Sequence, residues 1–259
     1  MHLFDAHCHL DSELLQEPCA ALLERAHTAG VHGFLVPAVL PQQWEKLSRW
    51  PQQYPSCHIA LGLHPSALLN PLPPLAPLME TLETLLPHAC AIGECGLDKK
   101  LATTVAMQKQ AACFAAQLLL AKKHGLPLVI HCQGAYGTLL ELLSQHAPLP
   151  AGFVLHSFSG PPEMLKAFTL LGGYFSYSGN ICRAYAKKSL NALKHTPLQR
   201  LLFETDSPFQ SPLYPLPNEP AFLKLVVEKA SEFLGVPFAE LAHLSSLNAQ
   251  RLFGLPPLA

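Results

Sequence analysis

The residues of this chain that can do chemistry are histidines and carboxylates, and their spacing is that of metal ligands. His7-Cys8-His9 follows directly on a short apolar run. In extended chain, side chains alternate faces, so His7 and His9 point one way and Cys8 the other. Two imidazoles on one side can share a cation. Further on, His64 follows Leu61-Gly62-Leu63, Glu94 follows Ala91-Ile92-Gly93, His131 follows Leu128-Val129-Ile130 and His156 follows Phe153-Val154-Leu155, while Asp206 ends Leu201-Leu202-Phe203-Glu204-Thr205. Imidazole nitrogen and carboxylate oxygen suit zinc, manganese and similar divalent ions. His7, His9, Glu94, His131, His156 and Asp206 are therefore the expected ligands. Two ions about 3.5 to 4 Å apart would hold a bridging hydroxide and clamp a phosphodiester or similar electrophile. Glu94 can bridge them, because a carboxylate offers one oxygen to each ion. Asp206 can also take the proton of the attacking water.

Glu204 lies two residues before Asp206, so alternation predicts that both carboxylates face one side. Its role stays open between orienting a ligand or serving as an extra metal ligand and a structural carboxylate paired with a base of the barrel. His64 is assigned to substrate contact, the alternative being a turn histidine before Pro65.

The elements that must position these groups are legible as eight short apolar runs: Leu3–Ala6, His32–Val39, His58–Leu63, Ala89–Gly93, Pro127–His131, Gly152–His156, Tyr174–Ser178 and Arg200–Glu204. Helical stretches alternate with them: Cys19–Gly30, Gln42–Trp50, Leu75–Leu86, Val105–His124, Tyr136–Gln145, Glu163–Leu171 and Tyr185–Leu193, then Ala221–Leu234. Such alternation signals βαβ units and a parallel sheet. Eight units predict an α/β fold, a TIM-type (β/α)8 barrel, in one domain over residues 1–259. All strand C-termini of such a barrel open onto one mouth, where the metal site is expected. Prolines cluster in Asn70-Pro71-Leu72-Pro73-Pro74 and in Ser207–Pro220, which read as rigid connectors.

Composition narrows the function further. The chain is 49% apolar and 14% charged, enough to build a large core. Seventeen basic and 18 acidic residues give a formal charge of −1, which excludes a broad basic coat for nonspecific nucleic-acid binding. A local phosphate site needs only a few cations, and Lys99, Lys100 and Arg183 are the candidates. No apolar run reaches the roughly 18 residues of a membrane span, and the first residues lack a signal-peptide pattern. A soluble, cytoplasmic protein is expected, with no membrane and no partner protein evident. The eight cysteines form no CxxC pairs and read as reduced, mostly buried thiols. Cys95 and Cys132 each follow a ligand candidate, and alternation turns them away from the metals.

The ordered motifs resemble the TatD family of metal-dependent deoxyribonucleases, within the wider amidohydrolase-like group of barrels. The matching stretches are Phe4–Asp11, Ala60–Pro65, Ile92–Asp98, Leu126–His131, His156–Gly160, Glu204–Pro208 and Asn248–Gly254, spread over nearly the whole chain. The resemblance implies two divalent ions (Zn, Mg or Mn), with room for a third. It implies His7, His9, Glu94 and Asp206 around one ion and Glu94, His131 and His156 around another. It also implies phosphodiester hydrolysis of DNA, as a 3′ to 5′ exonuclease on single strands, acting on DNA ends or another phosphate-containing substrate. Glu94 stands where many amidohydrolases use a carboxylated lysine. Two departures bear on substrate: Cys132-Gln133 follows His131 where the family usually has a small residue and then Arg, and Lys99-Lys100 stand where aromatic residues are frequent. These keep open an alternative, hydrolysis of a small phosphoester, amide or ester, including aminoacyl-tRNA, at the same dinuclear site. Arg183 joins His64 and Glu204 as a substrate-binding candidate.

Overall fold

A computed structural model describes residues 2–257. The apolar runs form eight parallel strands in chain order: β1 (Leu3–Asp5), β2 (Val31–Pro37), β3 (Cys57–Leu61), β4 (Ala91–Asp98), β5 (Leu128–Gln133), β6 (Phe153–Leu155), β7 (Gly173–Tyr177) and β8 (Leu201–Phe203). Helices fill the crossovers: α1 (Cys19–Thr28), α2 (Pro41–Ser48), α3 (Trp50–Gln53), α4 (Leu75–Leu85), α5 (Met107–His124), α6 (Tyr136–Gln145), α7 (Leu165–Leu170) and α8 (Lys187–His195). Two more, α9 (Leu223–Leu234) and α10 (Phe238–Phe253), close the chain. This is the expected TIM-type α/β barrel. The strands are nearly continuous runs of buried apolar residues, as parallel strands covered on both faces must be.

Two groups of residues pack most densely among themselves. One comprises residues up to Val36, Ser157–Leu165 and the chain from Tyr174 onward. In it β1 pairs with β2, β7 pairs with β8, and the end of β8 meets the end of β1, where the Ala6 N–H donates to the Phe203 carbonyl at 3.0 Å. Phe4, Phe34, Phe175, Tyr177 and Phe203 are buried there. Helix α10, absent from the sequence-based elements, packs on this seam. Ser245 Oγ accepts the Phe203 N–H at 3.0 Å, and the Asn248 amide donates to the carbonyls of Leu198 (2.8 Å) and Leu201 (2.9 Å). These side chains supply partners to backbone groups at the start and end of β8.

The other group comprises Pro37–His156 and Lys166–Gly173. Its strands β3 to β6 pair in order. Helix α5 carries two fully buried glutamines whose amides clasp backbone next to site residues. Gln117 accepts from the Leu63 N–H (2.7 Å) and donates to the Leu63 carbonyl (3.0 Å), fixing the chain just before His64. Gln110 does the same for Asp98, at 2.8 and 3.0 Å. Burying an amide is costly unless its groups are paired, and here the pairing sets the chain's exit from two strands.

The expected boundaries shift in instructive ways. Strand β4 continues past Gly93 to Asp98, and β5 continues to Gln133, so Glu94 and His131 lie inside strands. The stretch Gln42–Trp50 divides into α2 and α3 around Arg49. Gly125 ends α5 in the left-handed conformation, as a glycine cap should.

Candidate metal centre

His7, Cys8 and His9 lie just beyond β1, where backbone bonds hold the chain extended. The Cys8 N–H donates to the Leu35 carbonyl (3.0 Å), the Asp206 N–H to the His7 carbonyl (2.9 Å) and the His9 N–H to the Ser207 carbonyl (2.7 Å). Alternation survives there: His7 and His9 bring their Nε2 atoms to 3.2 Å, and the Cys8 thiol turns away to the Leu35 carbonyl. Asp206 Oδ1 stands 3.4 Å from His9 Nε2 and 3.8 Å from His7 Nε2. All three are buried. Beneath them Asp5 accepts from the Thr205 N–H (2.9 Å) and the His7 N–H (3.3 Å) and pairs with the Thr205 hydroxyl (2.6 Å). Complete burial nevertheless pushes its carboxyl up to about 8.

The expectation that Glu204 and Asp206 share a face is corrected. Strand β8 ends at Phe203, and Asp206 takes a left-handed φ of 55°, so alternation no longer applies. Asp206 faces the two histidines. Glu204 instead accepts the Ser157 N–H at 2.7 Å on one oxygen and the Ser176 hydroxyl on the other. These contacts fit the orienting reading of Glu204, since they fix the loop that follows His156.

Asp206 has a partner that spacing did not reveal. The Gln210 amide donates to Asp206 Oδ2, and Gln210 Oε1 accepts from Ser157 Oγ (2.7 Å), Ser178 Oγ (2.5 Å) and the Asn180 amide. Ser157 and Gln210, like Asp206, have positive φ, at 45° and 54°. Three non-glycine residues in that region within one hydrogen-bonded group mark a locally demanding backbone.

The second cluster is built on β4 and β5. Glu94 Oε1 lies 2.9 Å from His156 Nε2, 3.2 Å from His131 Nδ1 and 3.6 Å from His64 Nε2, and His131 Nδ1 lies 3.1 Å from His156 Nε2. Ligand atoms of His64, Glu94 and His131 all fall within 4.8 Å of one another. His64 Nδ1 accepts the Ser66 N–H at 3.1 Å, which leaves its Nε2 as the proton-bearing nitrogen facing Glu94. The far nitrogen of His131 lies 3.5 Å from Asp98 Oδ2. Burial opposes charge on both groups. Even so, bonds from His131 and the Lys100 N–H hold the Asp98 carboxyl below its ordinary range, and Asp98 with Glu94 raises the His131 imidazole. Close backbone approach makes the cluster possible. A Cβ on Gly96, whose φ is +137°, would lie 2.0 Å from the His131 carbonyl oxygen, and one on Gly62 would lie 2.5 Å from Gly93 Cα.

Both clusters fit divalent ions. Ligand bonds of about 2.0 to 2.1 Å in tetrahedral geometry put neighbouring donor atoms roughly 3.4 Å apart, and octahedral geometry puts them nearer 2.9 Å. The observed separations, 3.2 to 3.8 Å in the first cluster and 2.9 to 3.2 Å among Glu94, His131 and His156, span those values. The Asp98–His131 contact is the carboxylate that commonly orients a metal-binding imidazole.

The remaining candidates are placed as follows. Arg183 is half-buried, its guanidinium donating to the Tyr185 hydroxyl at 2.7 Å; Lys99 and Lys100 are exposed. Cys95 donates to the Val129 carbonyl, and burial pushes the Cys132 thiol up to about 12. Neither is poised as a nucleophile. Among the described residues no helix is long and apolar enough to cross a membrane.

Histidine and carboxylate clusters in and just beyond the strands of a parallel barrel are those of a metal-dependent hydrolase. The chain belongs to the family described as TatD related DNase, whose pattern it matches over residues 4–254. It is 32% identical over 262 residues to the "3′-5′ ssDNA/RNA exonuclease TatD" of Klebsiella pneumoniae (strain 342), covering 98% of each chain. It is 30% identical to the "Uncharacterized metal-dependent hydrolase YabD" of Bacillus subtilis (strain 168), covering 97% of this chain and 98% of that one. The crystal structure of YJJV, a TatD homolog from Escherichia coli k12, superposes with a TM-score of 0.90 at 30% identity over 98% of both chains.

Proposed function

We propose that the two clusters form one two-metal centre that hydrolyses phosphodiester bonds of single-stranded nucleic acid from its 3′ end. The observation that carries this reading is Glu94, a buried carboxylate 2.9 and 3.2 Å from two histidines. Glu94 would be shared with the ion that His7, His9 and Asp206 would hold. His131 and His156 complete the other site, and residues 1–259 act as one catalytic domain. The exonuclease name of the Klebsiella relative supports the substrate class. The free thiols suit the reducing cytoplasm.

Bound divalent ions would acidify water and neutralise charge developing on a phosphoryl group. The chain's own residues do the rest. Asp206 takes up the proton of the attacking water, and the Gln210 amide, donating to its Oδ2, fixes the carboxylate's orientation. His64, with its proton on Nε2, donates to a phosphate oxygen, and Arg183 pairs with a neighbouring phosphate. Glu204 acts through Ser157 rather than on substrate.

The test is cleavage of a 5′-labelled single-stranded DNA oligonucleotide by protein reloaded with Mg²⁺, Mn²⁺ or Zn²⁺, alongside Asp206→Asn. A ladder shortening from the 3′ end that requires metal and vanishes in the variant is expected. Intact DNA, together with rapid turnover of a small phosphoester or ester, would instead favour the small-substrate alternative.

A further inference from the structure

The loops that follow β7 and β8 carry aromatic rings that neither the fold nor the metal clusters account for. Tyr185 is 74% exposed and Tyr214 is 73% exposed, although each ring has a large apolar face. Arg183 lies beside both, its guanidinium 5.9 Å from the Tyr185 ring centre and 5.1 Å from that of Tyr214. A cation beside two exposed aromatic rings offers a strand what it carries: planar bases to stack and phosphates to neutralise.

This arrangement is tied to the site. The two loops are locked together: a Cβ on Gly179 would lie 2.2 Å from the Gln210 carbonyl oxygen and 2.6 Å from Pro212 N, and Asn180 bonds Gln210. Gln210 in turn bonds Asp206. Arg183 follows Asn180 by three residues and Tyr214 follows Gln210 by four, so the aromatic pair is fastened to the residue that faces His7 and His9.

We propose that Arg183, Tyr185 and Tyr214 form a subsite for the unpaired strand leading into the metal centre, with the tyrosine rings stacking on bases and Arg183 pairing with a backbone phosphate. This rests on the reading above that the substrate is a single-stranded nucleic acid. It supplies the stacking surface that Lys99-Lys100 do not provide.

The probe is a phosphorothioate-linked oligothymidylate carrying one 2-aminopurine, titrated against the metal-loaded protein by fluorescence. Wild type is expected to bind with a change in 2-aminopurine emission. Tyr185→Ala with Tyr214→Ala should weaken binding about tenfold or more and remove that change, because both stacking surfaces are lost. Tyr214→Phe should retain both. Arg183→Gln should weaken binding and flatten its salt dependence by about one phosphate contact. In turnover, the double tyrosine variant should lose at least about ten times more kcat/KM on single-stranded DNA than on bis(p-nitrophenyl) phosphate. Affinity within twofold of wild type in that variant, with wild type cutting DNA normally, would overturn the subsite alone. A wild type that hydrolyses the small diester but neither binds nor cuts the strand would overturn the substrate reading, and the subsite with it.

Discussion

The side-chain amide of Gln210 donates to Asp206 Oδ2 while Asp206 Oδ1 faces His9 Nε2 at 3.4 Å, so one carboxylate is divided between a fixed donor and a ligand cluster. A carboxylate held in this way cannot rotate away from the histidines. Partners behind metal ligands commonly matter 10- to 100-fold in metal affinity or activity. Gln210→Leu is therefore expected to weaken Mn²⁺ binding by about tenfold or more and to lower kcat with little change in KM. Mn²⁺ titration followed by electron paramagnetic resonance, with steady-state kinetics on the same samples, checks this.

Asp98 plays the corresponding part for His131, whose far nitrogen lies 3.5 Å from it. Asp98→Asn keeps the size but removes the charge that orients the imidazole. Zinc affinity, measured by competition with a chelating dye, should fall roughly 10- to 100-fold, with the melting temperature of the metal-free protein lowered only slightly at neutral pH, where the carboxylate held below its ordinary range contributes to stability.

Gly96 lets β4 pass close to His131. An added Cβ would stand 2.0 Å from the His131 carbonyl oxygen at a φ of +137° that side chains rarely adopt. Gly96→Ala should therefore destabilise the protein by roughly 3 kcal/mol or more and shift His131 enough to impair metal binding. Thermal unfolding of the metal-free variant separates the first effect from the second.

The candidate ligands were legible because extended chain projects alternate residues to one side. His7 and His9 meet as that rule requires, and Cys8, Cys95 and Cys132 are buried away from the ligand role. The rule fails where strands end. Past Phe203 the left-handed turn at Asp206 separates it from Glu204, and the same loop brings in Gln210, a contact that depends on residues far apart in sequence: Ser157, Ser178 and Asn180. Alternation likewise gives no sign of Gln110 and Gln117 reaching from α5 to the backbone at Asp98 and Leu63. Helix α10 escaped because its apolar positions are interrupted by Ser245, Ser246 and Asn248, polar groups buried against the backbone around β1 and β8.

Burial pushes the Cys113 thiol up to about 11, with a Gln117 contact acting in the opposite sense. An unfolded thiol ionises near 8.5, so the contribution of this group to stability is complete below that pH. It is lost as pH rises toward 11, at a limiting slope of about 1.4 kcal/mol per pH unit. Melting temperature should fall above about pH 9, and Cys113→Ala should flatten part of that fall despite a lower starting value. Thermal denaturation of metal-free protein between neutral pH and pH 11 reads this directly, and iodoacetamide should leave the native thiol unmodified at neutral pH.

The most direct measurement is equilibrium dialysis against Mn²⁺ of wild type and Glu94→Ala, with single-stranded DNA cleavage assayed on the dialysed samples. Wild type is predicted to bind two ions per chain and to cut. Glu94→Ala is predicted to lose bound metal and turnover together while remaining folded. Near-normal loading or near-normal cleavage by Glu94→Ala would contradict the assignment of Glu94 as the shared ligand on which the mechanism depends.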